Sequence, residues 1–309
     1  MLNKILFPGK YVQGFRALDE LPAFIAQLGG KGLILASSSA RKILSDRAMQ
    51  LPVEPFGGEC CEEALARLAE VIREGNTGVL VGMGGGKAID TAKIAADRAG
   101  IPVIIVPTIA STDAPCSGCA VLYSQGGVFE KVYYQKSNPA LVLVDTEIIA
   151  NAPARFLVAG MGDALSTWFE ARSCAATRSA NECGGLGTMT GLAMARLCYD
   201  TLMRHGAFAL AAAERHIVNP ALEHIIEANI LLSGVGFESG GLASAHSIHN
   251  GLTALGQTHA YYHGEKVAFG VLAGLQLADA DPAESETVYA FCEEIGLPTT
   301  LEDIGLKGF

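Results

Sequence analysis

The sequence predicts an α/β first half built on a parallel sheet and an all-α second half. Three observations carry this expectation. Continuous apolar runs alternate with amphipathic stretches up to about residue 150. From about Pro153 the texture changes to segments rich in Ala, Leu, Met and Glu. A glycine cluster stands where one apolar run gives way to a helical pattern. Strands covered on both faces read as unbroken apolar runs, and amphipathic helices supply the cover.

In chain order, Gly32–Ala36, Gly78–Gly82, Val103–Val106 and Leu141–Val144 read as buried strands. Glu62–Glu74 and Lys87–Ala99 carry apolar residues at helical spacing, with charge on the opposite face. Helices are expected at Asp163–Cys174, Leu186–Arg204, Pro220–Leu232, Gly241–Leu255, Glu265–Leu277 and Ala283–Ile295. The junction falls near Asn151–Phe156, which gives domains of 1–152 and 153–309.

A chain of 309 residues has room for two cores, and a content of 50% apolar and 17% charged residues fits a packed globular enzyme. The net charge of −10 argues against a nucleic-acid partner, since phosphate binding needs a basic face. Eight irregularly spaced cysteines do not form a disulfide framework; reduced thiols in a cytoplasmic protein are expected. The first ten residues lack the pattern of a signal peptide, and no apolar run reaches the length of a membrane span.

The cluster Val81-Gly82-Met83-Gly84-Gly85-Gly86-Lys87 joins a strand to a helix. Successive glycine N–H groups before a helix N-terminus suit a phosphate or pyrophosphate. The Walker pattern fails, because Ala88 stands where a hydroxyl must hold magnesium, and G-x-G-x-x-G fails at Lys87 or Ile89. A tight packing turn is the competing reading, but three consecutive glycines exceed what a turn needs. Pro107 to Ser117 places hydroxyls and the carboxylate of Asp113 after the next strand, where open α/β sheets bind ligands. Cys116-Ser117-Gly118-Cys119 is a lone C-x-x-C, too little for a structural zinc site.

Four of the seven histidines, His246, His249, His259 and His263, crowd one short region, and Asp163 lies upstream among glycines. A carboxylate with two imidazoles suits a borderline divalent ion that keeps open coordination positions. Each histidine taken alone fits a packing role equally well.

With these motifs, the chain resembles the glycerol dehydrogenase branch of the group III metal-dependent alcohol dehydrogenases, of dehydroquinate synthase-like fold. The matching blocks are Pro8–Tyr11, Pro55–Cys60, Gly84–Lys87, Pro107–Ser117, Gly162–Ala171, Gly234–Gly241 and Tyr262–Ala268. The resemblance implies a divalent metal, most simply Zn2+, on Asp163, His246 and His263. It implies NAD over Gly84, Gly85, Gly86 and Lys87, with contacts from Thr108, Ser111, Ser117 and Tyr123. Asp113 would stand beside the substrate, and His249 would orient a ligand or relay a proton. The implied reaction is the oxidation of glycerol, or a related vicinal diol, to dihydroxyacetone with hydride passing to NAD. Two adjacent hydroxyls would chelate the ion, whose Lewis acidity lowers the hydroxyl pKa. A cleft site and a large homo-oligomer belong to the same picture.

The chain departs from the family twice. Ala36-Ser37-Ser38-Ser39-Ala40-Arg41-Lys42 follows the first strand where the family has an acidic residue for the adenosine ribose, so weaker NAD binding or relaxed discrimination against NADP is expected. The chain also stops at Phe309, where the family continues with further helices, and uncovered apolar surface is expected in the second domain. Two rival readings are a dehydroquinate synthase-like lyase and a catalytically impaired, truncated member of the family. The lyase would need several cations near the metal to grip a phosphorylated, carboxylated substrate; the neighbourhoods of Asp163 and His246 are apolar or neutral.

Overall fold

The computed structural model describes residues 1–308, which form two compact units. One comprises 7–109 and 114–149; the other comprises 1–6, 110–113 and the chain from Ala150 onward. Relative to a division after residue 152, two short early segments therefore count with the helical unit.

The first unit is a six-stranded parallel sheet of order β1-β8-β5-β4-β2-β3. In chain order it contains β1 (Tyr11–Gly14), α1 (Leu21–Gln27), β2 (Gly32–Ala36), α2 (Ser38–Asp46), β3 (Val53–Pro55), α3 (Glu62–Glu74), β4 (Val79–Gly84), α4 (Gly86–Ala99) and β5 (Val103–Pro107). An antiparallel hairpin, β6 (Cys119–Tyr123) with β7 (Phe129–Tyr134), precedes β8 (Leu141–Asp145) and the short α5 (Thr146–Ala150). The four expected strands are the central ones, β2, β4, β5 and β8, each fully buried. β1 and β3 are edge strands, half-buried or exposed, and carry no continuous apolar run to read. Beneath the sheet, Leu18, Leu21, Ile34, Val81, Ile104 and Leu143 form one core; each fully buried aliphatic side chain contributes about 1.5–3 kcal/mol.

Strand order reverses direction between β2 and β4. The carboxyl ends on either side of such a switch point form the ligand-binding crevice of open α/β sheets. The glycine cluster occupies the carboxyl end of β4, at that point.

The second unit is helical: α6 (Ala154–Thr177), α7 (Met189–Ala213), α8 (Pro220–Glu227), α9 (Ser233–Gly240), α10 (Ser244–Leu252), α11 (His263–Leu277) and α12 (Pro282–Ile295). A π-helical turn over Ala228–Leu232 joins α8 to α9. Polar caps set several starts: Thr188 accepts from Gly191 N–H, Asn219 from Leu222 N–H and Asp281 from Ala283 N–H. α6 begins a full two turns before the expected start, because burial outweighs the low helix propensity of Gly160 and Gly162. The same override makes α9 a helix despite three glycines, since all eight of its residues are buried.

Two of these glycines decide where α11 lies. A Cβ on Gly264 would fall 1.8 Å from the Ala159 carbonyl oxygen, and one on Gly162 would fall 2.4 Å from the Gly264 oxygen. Without side chains, the first turn of α11 sits directly on α6. Met189, Phe208 and Leu277 stand exposed on this unit. All eight cysteines are free thiols. No helix among the described residues is long and apolar enough to cross a membrane.

Candidate metal centre and cofactor loop

Asp163 lies on the inner face of α6 and is 1% exposed. Its Oδ2 accepts a hydrogen bond from the backbone N–H of Asp113 at 3.2 Å, whereas Oδ1 is buried without a hydrogen-bond partner. His263, the first residue of α11, brings Nε2 to 3.1 Å from that oxygen, and His246 from α10 brings Nε2 to 3.8 Å. The three ligand atoms all lie within 4.8 Å of one another.

The outer ring nitrogens show which way the lone pairs point. His246 Nδ1 is 2.6 Å from Glu170 Oε2, an acceptor, so Nδ1 carries a proton and Nε2 is the nitrogen left to offer a lone pair once a cation takes the place of its proton. His249 Nδ1 is 3.1 Å from Asn250 Oδ1, so His249 Nε2 is an acceptor. His263 Nδ1, 3.0 Å from that nitrogen, therefore donates, and its Nε2 is likewise the nitrogen left facing inward. The Nε2 atoms of two imidazoles, whose Nδ1 atoms donate elsewhere, and a carboxylate oxygen without a hydrogen-bond partner then face one point. Buried acceptors converge this way at a cost that a cation removes, and the set is that of an open divalent site. The residues fit a metal ion.

The electrostatics agree. Burial pushes the His246 imidazole down, but Glu170 beside it, with Asp163 and Asp113 behind, lifts its pKa to about 9. Asp113 is pushed well above the usual carboxylate range by burial and by the Asp163 charge. Asp163 is burdened by the same burial, yet His263 and His246 bring it below its ordinary value. Three buried carboxyl groups around two imidazoles draw in positive charge, as protons or as a metal ion. Ser233, the first residue after the π turn, donates its hydroxyl to Asp113 Oδ2 at 2.9 Å and lies 2.8 Å from Thr167 Oγ1. Asn229, inside that turn, donates to the carbonyls of Ala110 and Leu157, which fixes the segment bearing Asp113 against α6.

In the sheet unit, the backbone N–H of Ser37 donates to Met83 O at 3.1 Å and that of Thr108 to Gly84 O at 3.0 Å, drawing the ends of β2 and β5 around the glycine loop. Gly84 has φ 157°, and a Cβ there would crowd Ala88 and Ser37. At Gly86, by contrast, an added Cβ would meet nothing within 4 Å. Packing does not demand that glycine, and the open first turn of α4 suits a ligand. Lys87 Nζ pairs with Glu59 and lies 5.0 Å from the centre of the Tyr123 ring.

The remaining expected cofactor contacts are distributed differently. Ser111 belongs to the segment that packs with the helical unit. Ser117 is fully buried, its Oγ 3.2 Å from Lys93 Nζ and engaged with the Ala114 carbonyl, so it holds the loop together. Lys93 is itself buried and donates to the carbonyls of Ala114 and Cys119. His259 meets the Thr253 carbonyl on the surface.

Sequence reading assigned no role to Glu170, Asn250, Ser233 or Lys93. A signal existed for Glu170: it follows Asp163 by seven residues, two helical turns, and so shares its face. Ser233 and Lys93 carried no such mark.

A parallel sheet with a glycine loop at its switch point, joined in one chain to a helical unit with an Asp-His-His cluster that could hold a metal, is the architecture of a nucleotide- and metal-dependent enzyme. The iron-containing alcohol dehydrogenase family model matches residues 8–146. Glycerol dehydrogenase from Thermotoga maritima is 52% identical over 315 residues, covering 100% of this chain and 86% of the relative. The crystal structure of a probable glycerol dehydrogenase from Sinorhizobium meliloti 1021 superposes with TM-score 0.93 at 48% identity, covering 98% of this chain and 86% of that one. Glycerol dehydrogenase from Schizosaccharomyces pombe gives 0.92 at 37% identity, covering 99% and 80%. The chain belongs to the iron-containing alcohol dehydrogenase family and is an NAD-dependent oxidoreductase.

Proposed function

We propose that this protein oxidises glycerol or a closely related vicinal diol to the hydroxyketone, with NAD as hydride acceptor and a divalent ion, assigned as zinc, on Asp163, His246 and His263. The observation that carries the reading is the buried, unpartnered Asp163 Oδ1 facing two imidazole nitrogens whose protons are fixed elsewhere. The similarity to glycerol dehydrogenases supplies the substrate class and speaks against the lyase. When bound, the metal would supply Lewis acidity at the carbinol oxygen and NAD the hydride acceptor.

The chain's own residues do the rest. Asp163, His246 and His263 leave coordination positions open for two adjacent hydroxyls. Asp113, held by Ser233 and by its backbone contact to Asp163, places a carboxyl of raised proton affinity beside those positions, suited to orient the diol and take its proton. His249 accepts from His263, which makes it an orienting residue for that ligand. Gly84, Gly85, Gly86 and the first turn of α4 would receive the pyrophosphate, with Lys87, Thr108 and Tyr123 lining the loop. The end of β2 offers Ser37, Ser38 and Ser39 with Arg41 nearby and no carboxylate, so NADP should serve as well as NAD to within about tenfold in kcat/KM. Homo-oligomeric assembly and a cytoplasmic setting complete the proposal.

The test follows NAD(P)H absorbance with glycerol, propane-1,2-diol and butane-2,3-diol at alkaline pH, before and after chelation and on re-addition of Zn2+, Fe2+ or Mn2+. Activity that disappears with the chelator and returns best with Zn2+ is expected. No turnover of any of the three diols in metal-loaded protein would sink the assignment, and a strong preference for NAD would refute the cofactor reading. Light scattering after gel filtration reads the assembly.

A further inference from the structure

Resting on the metal reading, we propose that Glu170 is the positioning residue that keeps the His246 Nε2 lone pair aimed at the metal, by dictating the tautomer of that ring. Glu170 is buried on α6, at 1% exposure. Its Oε1 accepts two backbone N–H groups, from Ala243 at 2.8 Å and from His246 at 3.0 Å, and its Oε2 accepts from His246 Nδ1 at 2.6 Å. The same carboxylate thus caps the first turn of α10 and holds the ring that the turn presents. With Oε1 pinned by two main-chain donors and Oε2 by the ring, the carboxyl group is held in one orientation.

This arrangement has a chemical consequence that volume alone does not predict. A glutamine at position 170 must place its carbonyl oxygen at the Oε1 site, because an NH2 group there would face two N–H donors. Its NH2 would then point at His246 Nδ1. That nitrogen would have to accept, the ring proton would move to Nε2, and a hydrogen would occupy the direction of the metal. Alanine leaves space for water, so the ring keeps the correct tautomer but loses its support. If Glu170 serves only packing and capping, the order reverses, since glutamine keeps the volume and both backbone bonds.

The experiment compares wild type, E170Q and E170A, stripped of metal and titrated with Zn2+ against a chromophoric chelator. Melting with and without Zn2+ gives a second readout. Removing such a support residue costs about 10- to 100-fold in metal affinity. The expected order is wild type, then E170A about tenfold weaker, then E170Q about 100-fold weaker with almost no zinc-dependent rise in melting temperature. E170Q binding within about threefold of wild type, or more tightly than E170A, would overturn the proposal. If E170Q does not fold, E170A decides: weaker binding with a shifted visible spectrum of its Co2+ form supports the role, and unchanged affinity and spectrum refute it. A wild type that takes up no Zn2+ would instead remove the metal reading itself, and this inference with it.

Discussion

At the scale of single residues, the centre is built on proton placement more than on the ligands' identity. Asp113 and Asp163 are near neighbours, yet their proton affinities move in opposite directions: burial and the Asp163 charge raise that of Asp113, whereas His263 and His246 lower that of Asp163. His249 shows the same logic with a sign that can be measured. Burial, followed by the nearby His263, lowers its pKa from 6.5 to about 3. The folded protein keeps this ring neutral while the unfolded chain protonates it below about pH 6.5. Its contribution to stability is therefore full above that pH, is lost as pH falls, and levels off near pH 3. The loss is on the order of 1 kcal/mol per pH unit. Urea melts of His249→Gln between pH 7 and 4 should show a shallower decline than wild type; parallel declines would contradict the assignment. Asp163, His246 and His263 carried readable signs, as polar residues among glycines and apolar neighbours. Glu170 carried only its spacing of seven residues from Asp163, and Ser233 carried nothing, because a side chain facing inward from a helix looks the same in sequence whether it caps, packs or orients.

At the scale of elements, the decisive contact is α11 against α6. A Cβ at Gly264 would sit 1.8 Å from the Ala159 oxygen and 2.9 Å from Asp163 N, so Gly264→Ala must lift the first turn of α11 and carry His263 away from Asp163. We expect a destabilisation of about 3 kcal/mol and a loss of metal affinity of at least tenfold. Gly251→Ala is the control: nothing lies within 4 Å of its added Cβ, and stability should change by less than about 1 kcal/mol. Chemical denaturation and metal titration of both variants test this, and equal behaviour would remove α11–α6 packing as the determinant. The buried strands β2, β4, β5 and β8 and the helix α3 were readable because burial writes itself into periodicity. The edge strands, the hairpin and the glycine-rich α9 were not, because their form comes from neighbours.

At the scale of the whole molecule, the proposed ion ties together α6, α10 and α11, all elements of the helical unit. A ligand that binds only the folded form stabilises it by about 4 kcal/mol at a thousandfold excess over Kd. Calorimetry should therefore show that stripping the metal lowers the melting of the helical unit while the sheet unit keeps its own transition. Equal shifts of both, or of neither, would count against the ligand set. The proposed cofactor loop of the sheet unit depends instead on strand order, since its glycines stand at the carboxyl end of β4, where the order reverses between β2 and β4.

By itself the sequence determined the class of both halves, the central strands, the glycine loop and the family, because burial patterns and motif residues are local properties of the chain. The tertiary structure alone decided which oxygen of Asp163 lacks a partner, which nitrogen of each imidazole keeps its proton, and why Glu170 and Gly264 occupy their positions. Those outcomes depend on atoms brought together from α6, α10 and α11, up to 100 residues apart in the chain (Asp163 to His263), and no local pattern encodes such distances.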